Sequence, residues 1–269
     1  MTNTAPDTSN RTIRSSATPD PTPLPQYSRR RILGVWAAAA APMATLVWVV
    51  APWLVRAGVL EGPGAWFRAL TLCLTAGLVW QCAVVLFLVR REQGSLRWPV
   101  LKNALWLRAP RSPRTGRSGG RLWLLVVPLV LAIAAEEVLP TLPTPVTRDL
   151  GLVLGTPAGQ DFLSGNWGWF AVLVTMFVFN TVLGEELLFR GLLLPRMHGA
   201  FGRWDWVANG VLFALYHLHV PWVIPQTVLV DTFVLAGASR RYRSALIGIA
   251  VHSAQSVYFT VLVLALVLR

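Results

Sequence analysis

Long apolar runs alternate with short basic breaks along this chain. Residues 32–55 are uncharged and follow Arg29-Arg30-Arg31, and residues 66–89 are almost uncharged and end on Arg90-Arg91. A helix needs about 20 apolar residues to cross hydrocarbon, so each run predicts a membrane span. Further runs cover residues 122–139, 169–194, 204–218, 222–238 and 244–268. The pattern predicts an all-α polytopic membrane helical bundle of about seven hydrophobic helices. The fifth run, with about 15 residues, rises only ~22 Å as a helix, which is short of a full crossing. No internal repeat of the kind that marks many secondary transporters is visible.

The breaks divide the chain into three parts. Residues 1–31 form a Thr/Pro/Ser-rich stretch without apolar periodicity and are expected to be a disordered cytoplasmic tail. Residues 32–121 hold two spans and a basic loop broken by Pro110, Pro113, Gly116, Gly119 and Gly120, in which residues 96–107 are expected to lie on the membrane surface. Residues 122–269 form the helical core. Within it, Pro140, Pro143 and Pro145 stop the third span, and residues 141–168 are expected to be an external loop.

Composition supports this picture. Only 13% of residues are charged against 54% hydrophobic, whereas a soluble domain carries about 25% charged residues. The net charge is +12, gathered at residues 11–31, 90–121, 190–203 and 240–243. Such clusters mark cytoplasmic loops and place the N-terminus in the cytoplasm of a multi-pass cell-membrane protein. They read as determinants of topology beside anionic headgroups in the lipid bilayer, with no nucleic acid as partner. Cys73 and Cys82 lie ~13 Å apart on one predicted helix, too far to pair, and read as packing residues.

Candidate chemistry sits in the apolar runs. Glu185 and Glu186 are adjacent in the fourth span, Arg190 follows Glu186 at i+4, and His217 and His252 lie in equally apolar surroundings. Ionisable groups inside a membrane usually face a wet cavity or a partner. Adjacent helical positions diverge by about 100°, so one glutamate can face a cavity while the other pairs with Arg190. A packing bridge between Glu186 and Arg190 is the simpler alternative, and each histidine taken alone reads as a packing residue. Together, two imidazoles and a carboxylate match what metal-assisted hydrolysis requires. No H-E-x-x-H motif and no nucleophile elbow is present; the G-x-S-x-G string at residues 116–120 lies in the basic, Pro- and Gly-broken loop. Glu136-Glu137 reads as an external helix terminus, with a role at the cavity mouth as the alternative, and His219, beside Pro221, as an interfacial residue.

Glu185-Glu186-x-x-x-Arg190, Phe213-x-x-x-His217 and His252-x-x-x-Ser256, in that order, resemble the motifs of the CPBP intramembrane proteases, which include the CAAX prenyl endopeptidases and the Abi or bacteriocin-processing proteins. The resemblance covers about residues 165–260. It implies a helical membrane endopeptidase with a cavity open to the cytoplasm. Glu185 would be the general base that activates water, and Glu186 and Arg190 would order the site. His217 and His252 would bind a divalent metal such as zinc or stabilise the oxyanion. The implied partner is a peptide or protein substrate, either a prenylated C-terminus, a leader peptide or the terminus of a membrane protein. One position departs from the pattern: the last motif commonly ends in Asn, and Ser256 stands there. A non-catalytic immunity or scaffold protein of the same fold, and a proton-coupled transporter using the same groups as a relay, are the alternative readings.

Overall fold

The computed structural model describes residues 24–139 and 142–269. Among them there is no β-strand, only one isolated bridge between Arg111 and Ser118. Helix α1 (Arg29–Arg56) begins where the Ser28 hydroxyl accepts the Arg31 backbone N–H at 3.3 Å, a serine N-cap. It continues through Pro42 by way of a π-helical turn at Leu46–Val50. Helix α2 (Ala65–Gln93) runs back and stops at Gly94, whose positive φ of 69° lets its N–H reach the Arg90 carbonyl. This is the glycine C-cap that ends many helices.

A short helix, α3 (Trp98–Ala104), lies in the basic loop. Helix α4 (Gly120–Ala134) follows, and two short helices, α5 (Leu150–Gly155) and α6 (Pro157–Leu163), lead to α7 (Trp167–Arg196). Helices α8 (Asp205–Tyr216), α9 (Pro221–Tyr242) and α10 (Ala245–Val267) complete the bundle. Five of these helices, α1, α2, α7, α9 and α10, are long and apolar enough to cross a membrane, while α4 and α8 are shorter. The long helices carry exposed bulky apolar groups, among them Trp53, Phe87, Phe233 and Val261. Such surfaces suit acyl chains and would be a liability in water.

Three expectations need correction. The tail ends earlier than residue 31: Tyr27 is buried, Gln26 bonds Pro195 and Gly199, and Arg29–Arg31 form the first turn of α1. The rest of the expected tail, residues 1–23, lies outside the described residues. The segment 141–168 is not a plain loop, because Asp149 and Thr156 cap α5 and α6 with their side chains. Of the seven expected hydrophobic helices, α8 is short as its run predicts, but α4 also falls short of crossing length.

The two ends of the bundle differ in chemistry. At one end Glu92 binds Arg31 (2.6 Å), Arg196 (3.0 Å) and the Tyr27 hydroxyl, which joins the start of α1 to the ends of α2 and α7. Burial and the Glu92 hydrogen bond raise the Tyr27 phenol above its usual value, which keeps it a neutral donor. Arg108 and Arg111 reach the Arg243 and Tyr242 carbonyls at the same end. At the opposite end the Gly165 N–H bonds the Val267 carbonyl (2.9 Å). There Arg148 donates to the Val47 carbonyl and lies over the Trp48 ring at 4.9 Å.

Candidate active site

Helix α7 presents the two glutamates at a local change of winding. Residues Phe179–Gly184 and Leu187–Leu193 are π-helical, with Glu185 and Glu186 between them. π-turns of this kind recur at functional sites because they re-aim the side chains beside them. Here the two carboxylates take different surroundings, as adjacency requires.

Glu186 is fully buried and acts as a hub. Its Oε1 lies 3.2 Å from Arg190 Nη1 and 3.1 Å from His252 Nδ1. The Arg190 contact is an ion pair by distance but lacks hydrogen-bond alignment, and the guanidinium stacks on the Phe213 ring at 3.9 Å. Helix α10 reaches the hub because Gly248 has no side chain. A Cβ there would stand 2.5 Å from Glu186 Oε2 and 2.9 Å from Ser239 Oγ.

Glu185 points elsewhere. It lines a cavity of about 770 Å³ together with His217, His252, Asn180, Asp231 and Gln255, and an adjoining lobe of about 270 Å³ with Tyr216 and His217. The larger volume is within the usual range for ligand sites. Tyr216 lines that lobe beside Glu185, and its hydroxyl accepts from Gln81 Nε2 at 2.6 Å, which ties α2 to the cavity wall. His217 Nδ1 donates to the Phe213 carbonyl at 3.0 Å, the i−4 partner at the end of α8. His252 Nδ1 donates to Glu186. Both imidazoles therefore keep Nε2 as the nitrogen left for chemistry, an acceptor when the ring is neutral.

Five of the six expected site residues are brought together: Glu185, His217 and His252 on the cavity, Glu186 and Arg190 directly behind it. The sixth is not. Ser256 Oγ donates to Thr181 Oγ1 at 3.3 Å, in the packing between α10 and α7, and is absent from the cavity wall. Gln255, at i+3 from His252, lines the cavity instead.

Three further polar residues had gone unremarked: Asn180, Asp231 and Tyr216. Asp231 is buried, and its Oδ1 has no hydrogen-bond partner among the described residues. A carboxylate in the middle of α9 was the available signal, since a charge in a membrane segment is costly. As for a metal, no cluster of three or more His, Cys, Asp or Glu side chains among the described residues is spaced to hold one. His217 and His252, the two ligands expected, lack a third in this arrangement.

The cavity opens away from the basic end. Leu142, Pro143, Thr144, Asp149 and Leu152 line it, and they belong to the segment near the opposite end of the bundle. Glu185 lies 11 residues before Arg196, ~16 Å along the helix, so the site is well inside the span.

The bundle of apolar helices thus holds a buried hub of acid, arginine and histidine beside a cavity of about 770 Å³. Residues 166–258 match the family model described as Type II CAAX prenyl endopeptidase Rce1-like, which is consistent with the CPBP family. Comparison with curated proteins and with solved structures gives no match.

Proposed function

We propose that this protein is an intramembrane endopeptidase in which Glu185 activates water. The observation that carries the reading is the convergence of Glu185, His217 and His252, from three helices, on one cavity. Glu185 takes a proton from water as its oxygen attacks the scissile carbonyl carbon, and then delivers that proton to the departing amine. His217 accepts from the attacking water through Nε2, since its Nδ1 is occupied by the Phe213 carbonyl. His252 is held by Glu186, and as an imidazolium its Nε2–H faces the developing oxyanion. Preorganised donors of this kind supply much of the stabilisation in acyl transfer. The substrate is a peptide at or in the membrane: a prenylated C-terminus, a leader peptide or the end of a membrane protein.

The decisive experiment compares purified parent and Glu185→Gln on a reconstituted peptide. A general base contributes about 10²–10⁴-fold, so cleavage by the variant should fall by that factor while membrane insertion is unchanged. Cleavage at the parental rate would remove the mechanism.

One observation favours a second reading, a non-catalytic binding protein of the same fold. Ser256, at the position where the family commonly has Asn, is turned into helix packing. In that case a peptide would be held one-to-one without turnover, and His217→Ala and His252→Ala would leave its binding intact.

A further inference from the structure

The basic end of the bundle carries a second cavity of about 700 Å³ that shares no lining residue with the one containing Glu185. Three segments build it. The turn bridged between Arg111 and Ser118 is fixed to the end of α9, where the Arg111 N–H bonds the Tyr242 carbonyl at 2.9 Å. The start of α8 supplies Trp206, and the end of α9 supplies Phe233, Arg240 and Arg241. Arg243, in the left-handed backbone region at φ 48°, turns the chain into α10 and adds a fourth arginine.

No carboxylate lines this cavity. Arg240 is neutralised by Asp205 at 2.6 Å, but Arg111, Arg241 and Arg243 form no ion pair among the described residues. Beside them Arg108 donates to the Arg243 carbonyl at 2.9 Å. Its own burial, and then Arg111 and Arg243, push it down to about 10. Charge needed only for topology has no reason to be concentrated on one concave wall. The opposite wall is aromatic: Trp206 and Phe233 pack edge to face at 5.5 Å, and Phe233 is 63% exposed.

We propose that this cavity binds the phosphate of an anionic phospholipid, with Arg111, Arg241 and Arg243 on the headgroup and Trp206 and Phe233 along the start of the acyl chains. Forked guanidinium donors match phosphate oxygens. Basic pockets between membrane helices on the cytoplasmic side hold such headgroups. A soluble anion would need the arginines but not the exposed apolar wall, which is why the lipid is the occupant assigned.

The test uses the full chain in nanodiscs of phosphatidylcholine, with and without phosphatidylglycerol, and reads retained lipid by native mass spectrometry together with thermal stability. The parent should retain phosphatidylglycerol selectively and be stabilised by it. Each arginine removed should weaken retention about fivefold, so Arg111→Gln with Arg241→Gln should lose nearly all selectivity. Arg114→Gln with Arg117→Gln removes equal charge from the same turn without touching the cavity wall, and should retain the lipid. Equal loss in that control would reduce the effect to general surface charge and overturn the site. Inorganic phosphate added to the protein in neutral discs should give no comparable stabilisation. If it does while phosphatidylglycerol does not, the lipid assignment falls. If the paired variant does not fold, Arg111→Gln alone carries the test, because Arg111 is exposed.

Discussion

Glu186 is the residue on which the candidate site turns. It is shared between a buried guanidinium and an imidazole, 3.2 Å and 3.1 Å away, so its replacement has two effects. Glu186→Gln leaves Arg190 uncompensated in the protein interior, where breaking a buried pair costs about 3–5 kcal/mol. The same change frees His252 from its orienting acceptor. We expect a loss of thermal stability of that order in detergent unfolding, and cleavage reduced along with it. His252→Gln should spare the Glu186–Arg190 pair, lowering cleavage with much less loss of stability. The i+4 spacing made the pair with Arg190 readable from the chain. That His252 joins it from a helix 66 residues later was not readable, because a histidine in an apolar run carries no label for its partner. Ser256 failed as a site residue for a local reason. Both i+3 and i+4 from His252 are on its helix face, and the rotation of α10 gives the cavity to Gln255 and the packing to Ser256.

At the level of elements, the apolar pattern located every long helix, and it marked α8 as too short. It missed the π-turns around the glutamates, since they follow from how α7 packs and not from its composition. It also treated Gly248 as one more residue of an apolar run. The structure makes Gly248 the point where α10 crosses the acidic hub, and Gly248→Ala should separate the two helices there. The nearest atom belongs to a movable carboxylate, but Ser239 Oγ, at 2.9 Å, blocks the other direction. Overpacking of this kind costs about 1–3 kcal/mol. The expected outcome is a folded protein with a lower unfolding temperature and a larger loss of cleavage than of stability, because the carboxylate that holds His252 has to move.

For the whole molecule, the positive-inside rule and the cavity have to be reconciled. The basic end, with Arg31, Arg196, Arg111 and Arg241, is the end the rule assigns to the cytoplasm. The cavity wall at Leu142–Thr144 lies towards the opposite end, not the side the family resemblance implied. Labelling of single cysteines placed at Thr144 and at Arg114, with Cys73 and Cys82 removed, would measure this. The two positions should react with an impermeant reagent from opposite faces, Arg114→Cys only after the cytoplasmic side is exposed. Reaction of both from one face would return the cavity to the basic side. The five crossing helices were legible because hydrocarbon imposes a length. The direction of the opening was not, because it depends on how α5 and α6 fold back over the bundle.

The match to known sequences starts at residue 166, yet Gln81, on α2, holds the hydroxyl of Tyr216, which lines the cavity beside Glu185. Trp36 and Trp48 on α1 hydrogen-bond carbonyls of Leu212 and Leu218, on either side of His217. A shortened protein cut at the edge of the recognisable region would therefore keep every motif and lose the scaffolding that aims them. The smallest unit that can work is larger than the smallest unit that can be recognised.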